Sequence, residues 1–170
     1  MIMKACNGLL YAMALSGALS IGSASATPST VVATPENEPS TTSIEGVWRT
    51  IDDRTGFARA LVKIQKTPDG QYHGMITRVL PRPDYTPKKT CQNCPKPFTD
   101  QPIEGLHLLW NLHEEGSTTK LVGGYIIDPL TGNIYNCKAN LSKDGRRLAM
   151  RGFTDVSMLG RSQTWIRAAE

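Results

Sequence analysis

From position 46 onward the chain is broken at short intervals by residue clusters suited to turns, and this restricts it to a fold of strands. Asp52-Asp53-Arg54-Thr55-Gly56, Asp69-Gly70, Asp128-Pro129-Leu130-Thr131-Gly132 and Lys143-Asp144-Gly145 are such clusters. Aspartate bonds its own backbone two residues on, and glycine adopts positive φ at no steric cost. Asp69-Gly70 is a strong hairpin signal, because both residues tolerate the positive φ of a tight primed turn. Between the clusters lie short apolar-rich runs at 44–50, 59–65, 72–80, 105–112, 121–127, 134–141, 148–153 and 162–167. In the second run Ala60, Val62 and Ile64 share a face by the two-residue period of a strand. No stretch holds a helical period. The pattern predicts an all-β domain, a small closed or nearly closed antiparallel barrel of about eight strands, since closure removes exposed edges. Gly123-Gly124 lies inside a run, where glycine marks a bulge or a barrel corner.

The first 43 residues belong to no strand. Lys4 precedes an apolar or small run from Gly8 to Gly22, and Ala24-Ser25-Ala26 has the small-x-small form of a signal-peptidase site. Residues 1–26 therefore read as a secretory leader cleaved near Ala26, which places the mature chain in the periplasm or outside the cell. The apolar run is short of the ~20 residues a spanning helix needs, and Cys6 lies before it rather than after, so no stable membrane anchor is expected. Residues 27–43 are rich in Ser, Thr and Pro and hold too few apolar side chains to offset the entropy of ordering them. They read as a disordered tether. Residues 44–170 form the barrel domain. The formal net charge is +4 with both signs intermixed. A nucleic-acid binder gathers its cations on one face, so no nucleic-acid partner is expected.

The segment 81–102 holds six of the eleven prolines together with Cys91 and Cys94. It is long for a loop in a compact domain, and in a barrel it would cross one mouth as a lid. Cys91-Gln92-Asn93-Cys94 is followed at once by prolines, with no strand–helix unit to supply the dipole of a thioredoxin-type pair. Zinc needs four ligands, and Cys137, His107 and His113 stand at no zinc-site spacing. A structural disulfide in an oxidising compartment is the bland alternative. Cys137 is either a buried thiol or a partner for Cys91 or Cys94, a choice that spacing leaves open. Scattered histidines, turn-bound aspartates and the absence of a nucleophile elbow or phosphate loop leave no catalytic signature, no metal site and no cofactor.

Tryptophan and arginine concentrate near the two ends of the domain. Arg161 and Arg167 flank Trp165, and an arginine over a tryptophan face gains roughly 0.5–2 kcal/mol. Gly46, Trp48, Arg161, Trp165 and Arg167 are accordingly expected to close the first strand on the last. Trp48 would sit on the barrel floor, covered by Arg161 or Arg167.

These residues carry a resemblance. Gly46-Val47-Trp48-Arg49-Thr50 with Asp52-Asp53 and Thr55-Gly56 opens the pattern. The paired cysteines, Pro102-Ile103-Glu104-Gly105-Leu106 and Gly123 to Pro129 with Gly132, Tyr135 and Cys137 continue it. Arg151-Gly152-Phe153 and Gly160 to Arg167 complete it. In order and spacing they resemble an uncharacterised bacterial envelope family, domain of unknown function 2147. The resemblance implies a signal peptide and a lipocalin-like (calycin) barrel, and it supplies no substrate or catalytic residue. An eight-stranded barrel can hold one small apolar ligand. The expected function is thus a non-enzymatic carrier, with Tyr85, Phe98, Trp110 and Tyr125 as lid or ligand contacts. The alternative is an envelope structural or interaction module whose barrel is filled by its own side chains.

Overall fold

A computed structural model describes residues 42–83, 85–155 and 160–169. The expected leader, and the tether up to residue 41, lie outside the described residues. Eight strands follow one another: β1 (Gly46–Ile51), β2 (Ala58–Lys66), β3 (Tyr72–Val79), β4 (His107–Ser117), β5 (Lys120–Ile127), β6 (Ile134–Leu141), β7 (Arg147–Phe153) and β8 (Gly160–Arg167). Each pairs antiparallel with the next, and β8 returns to β1 to close the barrel. The closing register sets Trp48 opposite Arg167, Arg49 opposite Ile166 and Thr50 opposite Trp165. No helix occurs among the described residues.

The period-two pattern builds the core directly. Val62 and Ile64 on β2, Ala139 and Leu141 on β6, and Leu148 and Met150 on β7 are all buried, alternating with more exposed neighbours. At Gly123-Gly124 the pairing of β5 with β6 slips, as the glycine pair suggests. Gly123 has φ +70°, and a Cβ on Gly124 would lie 2.8 Å from both Cys137 Sγ and Leu112. The glycines let β4 and β6 approach β5 closely. Strand four differs from its expected range, starting later than residue 105 and running past 112 to Ser117. Gly105 has φ +95° and ends the preceding loop. At the far end of β4, Glu114 and Glu115 both find partners. Glu114 pairs with Lys66 at 2.8 Å, and Glu115 with Lys120 at 2.5 Å.

In an up-and-down barrel alternate connections share an end. Connections 67–71, 118–119 and 142–146 lie at one end, where the described chain begins and ends. Connections 52–57 and 128–133, and the described residues of those between β3 and β4 and between β7 and β8, belong to the other. The first end is plugged. Trp48 is fully buried and donates its indole N–H to Ile44 O at 2.8 Å. Arg167 lies 4.3 Å over the Trp48 ring and donates to three carbonyls: Glu45 O at 2.7 Å, Gly145 O at 2.7 Å and Ser43 O at 2.5 Å. Gly46 has φ +121°, and a Cβ there would press on Arg167 at 3.0 Å. Ser43, expected to end the tether, is thus tied to the barrel.

Arg167, six positions beyond Arg161, is the cover of Trp48. Arg161 lies at the opposite end of β8, which corrects the alternative cover expected from the sequence. With about 3.3 Å of rise per residue, six positions carry a side chain some 20 Å along the strand. There Arg161 pairs with Asp53 through two contacts, Nε to Oδ2 at 2.7 Å and Nη2 to Oδ1.

Candidate functional site

The plugged end is packed by Trp48, Tyr72, Leu109, Leu112, Leu121 and Leu148, all at most 2% exposed. In the other half the strands enclose a cavity of about 390 Å³. Its deep wall is apolar, formed by Val62, Ile76, Leu108, Ile126, Met150 and Trp165 among others. Trp165 is 1% exposed, and its indole N–H has no hydrogen-bond acceptor among the described residues. The two tryptophans that sit near the β1–β8 seam therefore differ: one N–H is satisfied and the other is not.

The rim has a different chemistry. Arg59, Arg82, Lys88 and Arg161 line it, with Asp128 as the one carboxylate among the described lining residues. Behind them Asp52, 1% exposed, organises the β1–β2 turn. Its Oδ1 accepts the amides of Arg54 at 2.9 Å and Thr55 at 3.1 Å. Its Oδ2 faces Arg59 Nε at 3.0 Å and Arg82 Nη1 at 4.0 Å. Burial pushes the Asp52 carboxyl up. The two amides and the Arg59 charge outweigh that, and it titrates below the usual carboxylate range. Asp128 repeats the same turn: its Oδ1 accepts Leu130 N at 2.9 Å, and its carbonyl accepts Gly132 N at 2.7 Å. The capping role expected of turn aspartates holds in both places, and at Asp52 an ion-pair role is added.

The long segment between β3 and β4 divides into two parts. Its first part supplies Leu80, Arg82, Tyr85, Pro87 and Lys88 to the cavity rim. Its second part folds against the 128–133 turn. Cys91 and Cys94 are joined in a disulfide and are both buried. Cys91 Sγ lies 3.8 Å from Pro129 O, and Gly132 meets the Asn93 carbonyl so closely that a Cβ would stand 1.9 Å from it. The expectation that Cys137 could join a disulfide is corrected: it is a free thiol, 1% exposed, on the inner face of β6. Burial pushes that thiol up to about 12, so it is protonated and inert at neutral pH.

Of the four aromatic residues expected at a ligand, Tyr85 lines the cavity and lies under the Arg82 guanidinium at 4.0 Å. Phe98, Trp110 and Tyr125 do not line it. Trp110 and Tyr125 face each other across β4 and β5 at 5.8 Å, and Phe98 stacks on Trp110 at 5.4 Å. Tyr125 is 39% exposed, while Leu109, one residue before Trp110, is fully buried. Strand alternation therefore puts this aromatic row on the outer face, where it pins the disulfide loop to the barrel wall. Sequence reasoning missed Arg59, Arg82 and Lys88. The available signal was topological, since residues flanking alternate connections of a meandering barrel converge on one mouth.

A family model described as "Uncharacterized protein conserved in bacteria (DUF2147)" matches residues 46–167. Among solved structures the chain is similar to protein HP1028 from the human pathogen Helicobacter pylori, described as belonging to the lipocalin family. The TM-score is 0.62 at 17% identity, over 74% of this chain and 83% of that one. Likeness at that identity speaks for the fold. Comparison with curated proteins returns no match.

Proposed function

The chain belongs to the DUF2147 family of bacterial proteins, and from that premise we propose that it is an exported carrier holding one small, mainly apolar molecule in its half-empty barrel. The observation that carries this reading is the cavity of about 390 Å³ with a largely apolar wall, away from the end plugged by Trp48 and Arg167. Small-molecule sites commonly span roughly 300–1,000 Å³ with apolar walls and a few polar groups. The lipocalin description of the HP1028 structure is consistent with the same use of the fold. Export is supported by the leader-like residues 1–26 and by the Cys91–Cys94 disulfide, a bond that persists in oxidising compartments. The cavity favours this reading over the alternative, a module with a solid barrel.

The test is a chain-length series of alkyl ligands on delipidated protein, read by calorimetry, beside native mass spectrometry of protein purified without organic solvent. Each buried methylene is worth about 0.8 kcal/mol, so affinity should rise roughly tenfold per two carbons until the cavity is full. Ala60→Trp, which projects a large ring from the cavity wall, should abolish binding while leaving the fold intact by circular dichroism. Delipidated wild-type protein that binds no member of the series would overturn the proposal.

A further inference from the structure

We propose that the carried molecule is an anionic amphiphile, a single alkyl chain ending in a carboxylate or phosphate monoester, and that Arg59 and Arg82 receive its head at the cavity rim. This rests on the carrier reading and specifies its ligand. Two guanidiniums share one carboxylate here. Asp52 Oδ2 is the single acidic oxygen within ion-pair distance of either arginine among the described residues, at 3.0 Å and 4.0 Å. The other oxygen, Oδ1, is occupied by the turn amides. Among the described residues a positive charge is left over.

That surplus sits where water is scarce. The Arg59 and Arg82 side chains are 27% and 13% exposed, and both line the cavity. Neither guanidinium donates an aligned hydrogen bond to a described residue, so their contacts with Asp52 are ion pairs by distance only. A guanidinium presents five donors in a fixed fork that matches a carboxylate or phosphate. Shedding water from such a cation is costly unless an anion replaces it. Among the described residues the neighbouring groups do not supply one. Asp53 is engaged by Arg161, and Asp128 gives one oxygen to the Leu130 amide. The Arg82 guanidinium lies 4.0 Å over the Tyr85 ring, which restricts where the fork can sit. An apolar wall below and a cationic fork above define a ligand with an apolar tail and an acidic head.

The experiment compares decanoate, decyl phosphate, decanol and decylamine on the delipidated full chain by isothermal titration calorimetry. Hydrogen bonds to charged groups predict that decanoate and decyl phosphate bind about ten- to a hundredfold more tightly than decanol, and decylamine more weakly than decanol. The preference should shrink with added salt, because part of it is Coulombic. Arg82→Gln should cut it at least severalfold, and Arg59→Gln with Arg82→Gln should erase it while decanol binding is kept. Lys63→Gln, on the outer face of β2, should leave it unchanged. Equal binding of decanoate and decanol by the wild-type protein, or a preference for the amine, would overturn the head-group proposal and leave the carrier reading standing. Binding of none of the four would overturn both. The wild-type comparison decides the matter even where an arginine variant folds poorly.

Discussion

Trp48 and Trp165 give the sharpest contrast at the residue scale. Both are buried on neighbouring strands at the closing seam, and Trp48 alone has a partner for its N–H. An unpaired buried donor costs about 1–3 kcal/mol, and removing one member of a formed pair costs a similar amount. Trp48→Phe should therefore destabilise by about 1–3 kcal/mol more than Trp165→Phe, measured by urea denaturation. Ile44 O loses its donor in the first variant, whereas the second removes an N–H that has no acceptor among the described residues. Equal losses in the two variants would show that the Trp165 N–H is satisfied after all. The tryptophans were legible in the sequence as closure residues. Their difference was not, because a hydrogen bond to a carbonyl four residues earlier depends on a backbone path that composition does not encode.

Among the elements, the two Asp-to-Gly turns at 52–56 and 128–132 are a natural controlled pair. Both glycines have positive φ, +72° at Gly56 and +81° at Gly132, so alanine at either adds about 1–2 kcal/mol of backbone strain. Gly56 has open space around it, whereas a Cβ on Gly132 would run into the Asn93 backbone. Gly132→Ala should thus cost clearly more than Gly56→Ala and should expose the 89–103 loop to proteolysis, which Gly56→Ala should not. Equal protease resistance in the two variants would mean that the disulfide loop is held by the aromatic row alone. From the sequence the turns could be read as turns because their chemistry is local. The docking of one on a loop some forty residues away could not.

Across the whole molecule, acid should act before alkali. The carboxyls of Asp52 and Glu114 both titrate below their usual range. For Asp52 the turn amides and Arg59 overcome burial, and for Glu114 the cause is hydrogen bonding from Lys66 and Tyr72. A carboxyl depressed in the folded state contributes stability that is complete above its unfolded value, about 4, and is lost as pH falls through the folded value. The melting temperature should stay level from about pH 7 to 5 and drop below about pH 4, with a shallower drop in Asp52→Asn. An acid limb unchanged by that substitution would remove Asp52 from the account. The barrel itself was legible, since turn spacing and a two-residue period imply eight strands. The rim was not. Arg59 and Arg82 are far apart in sequence and meet only because alternate connections share a mouth. Trp110 and Tyr125, which looked suited to a ligand, face outward, since one step along a strand reverses the side.

The Arg167 plug has a consequence for kinetics. On the carrier reading, the end stoppered by Arg167 makes the barrel a blind well, with arrival and departure through the opposite mouth. An incoming molecule cannot push the resident one out through the far side, so exchange is strictly sequential. The off-rate, followed by stopped-flow after mixing the loaded protein with unlabelled competitor, should be independent of competitor concentration. A rate that climbs with competitor would mean that the well has a second door.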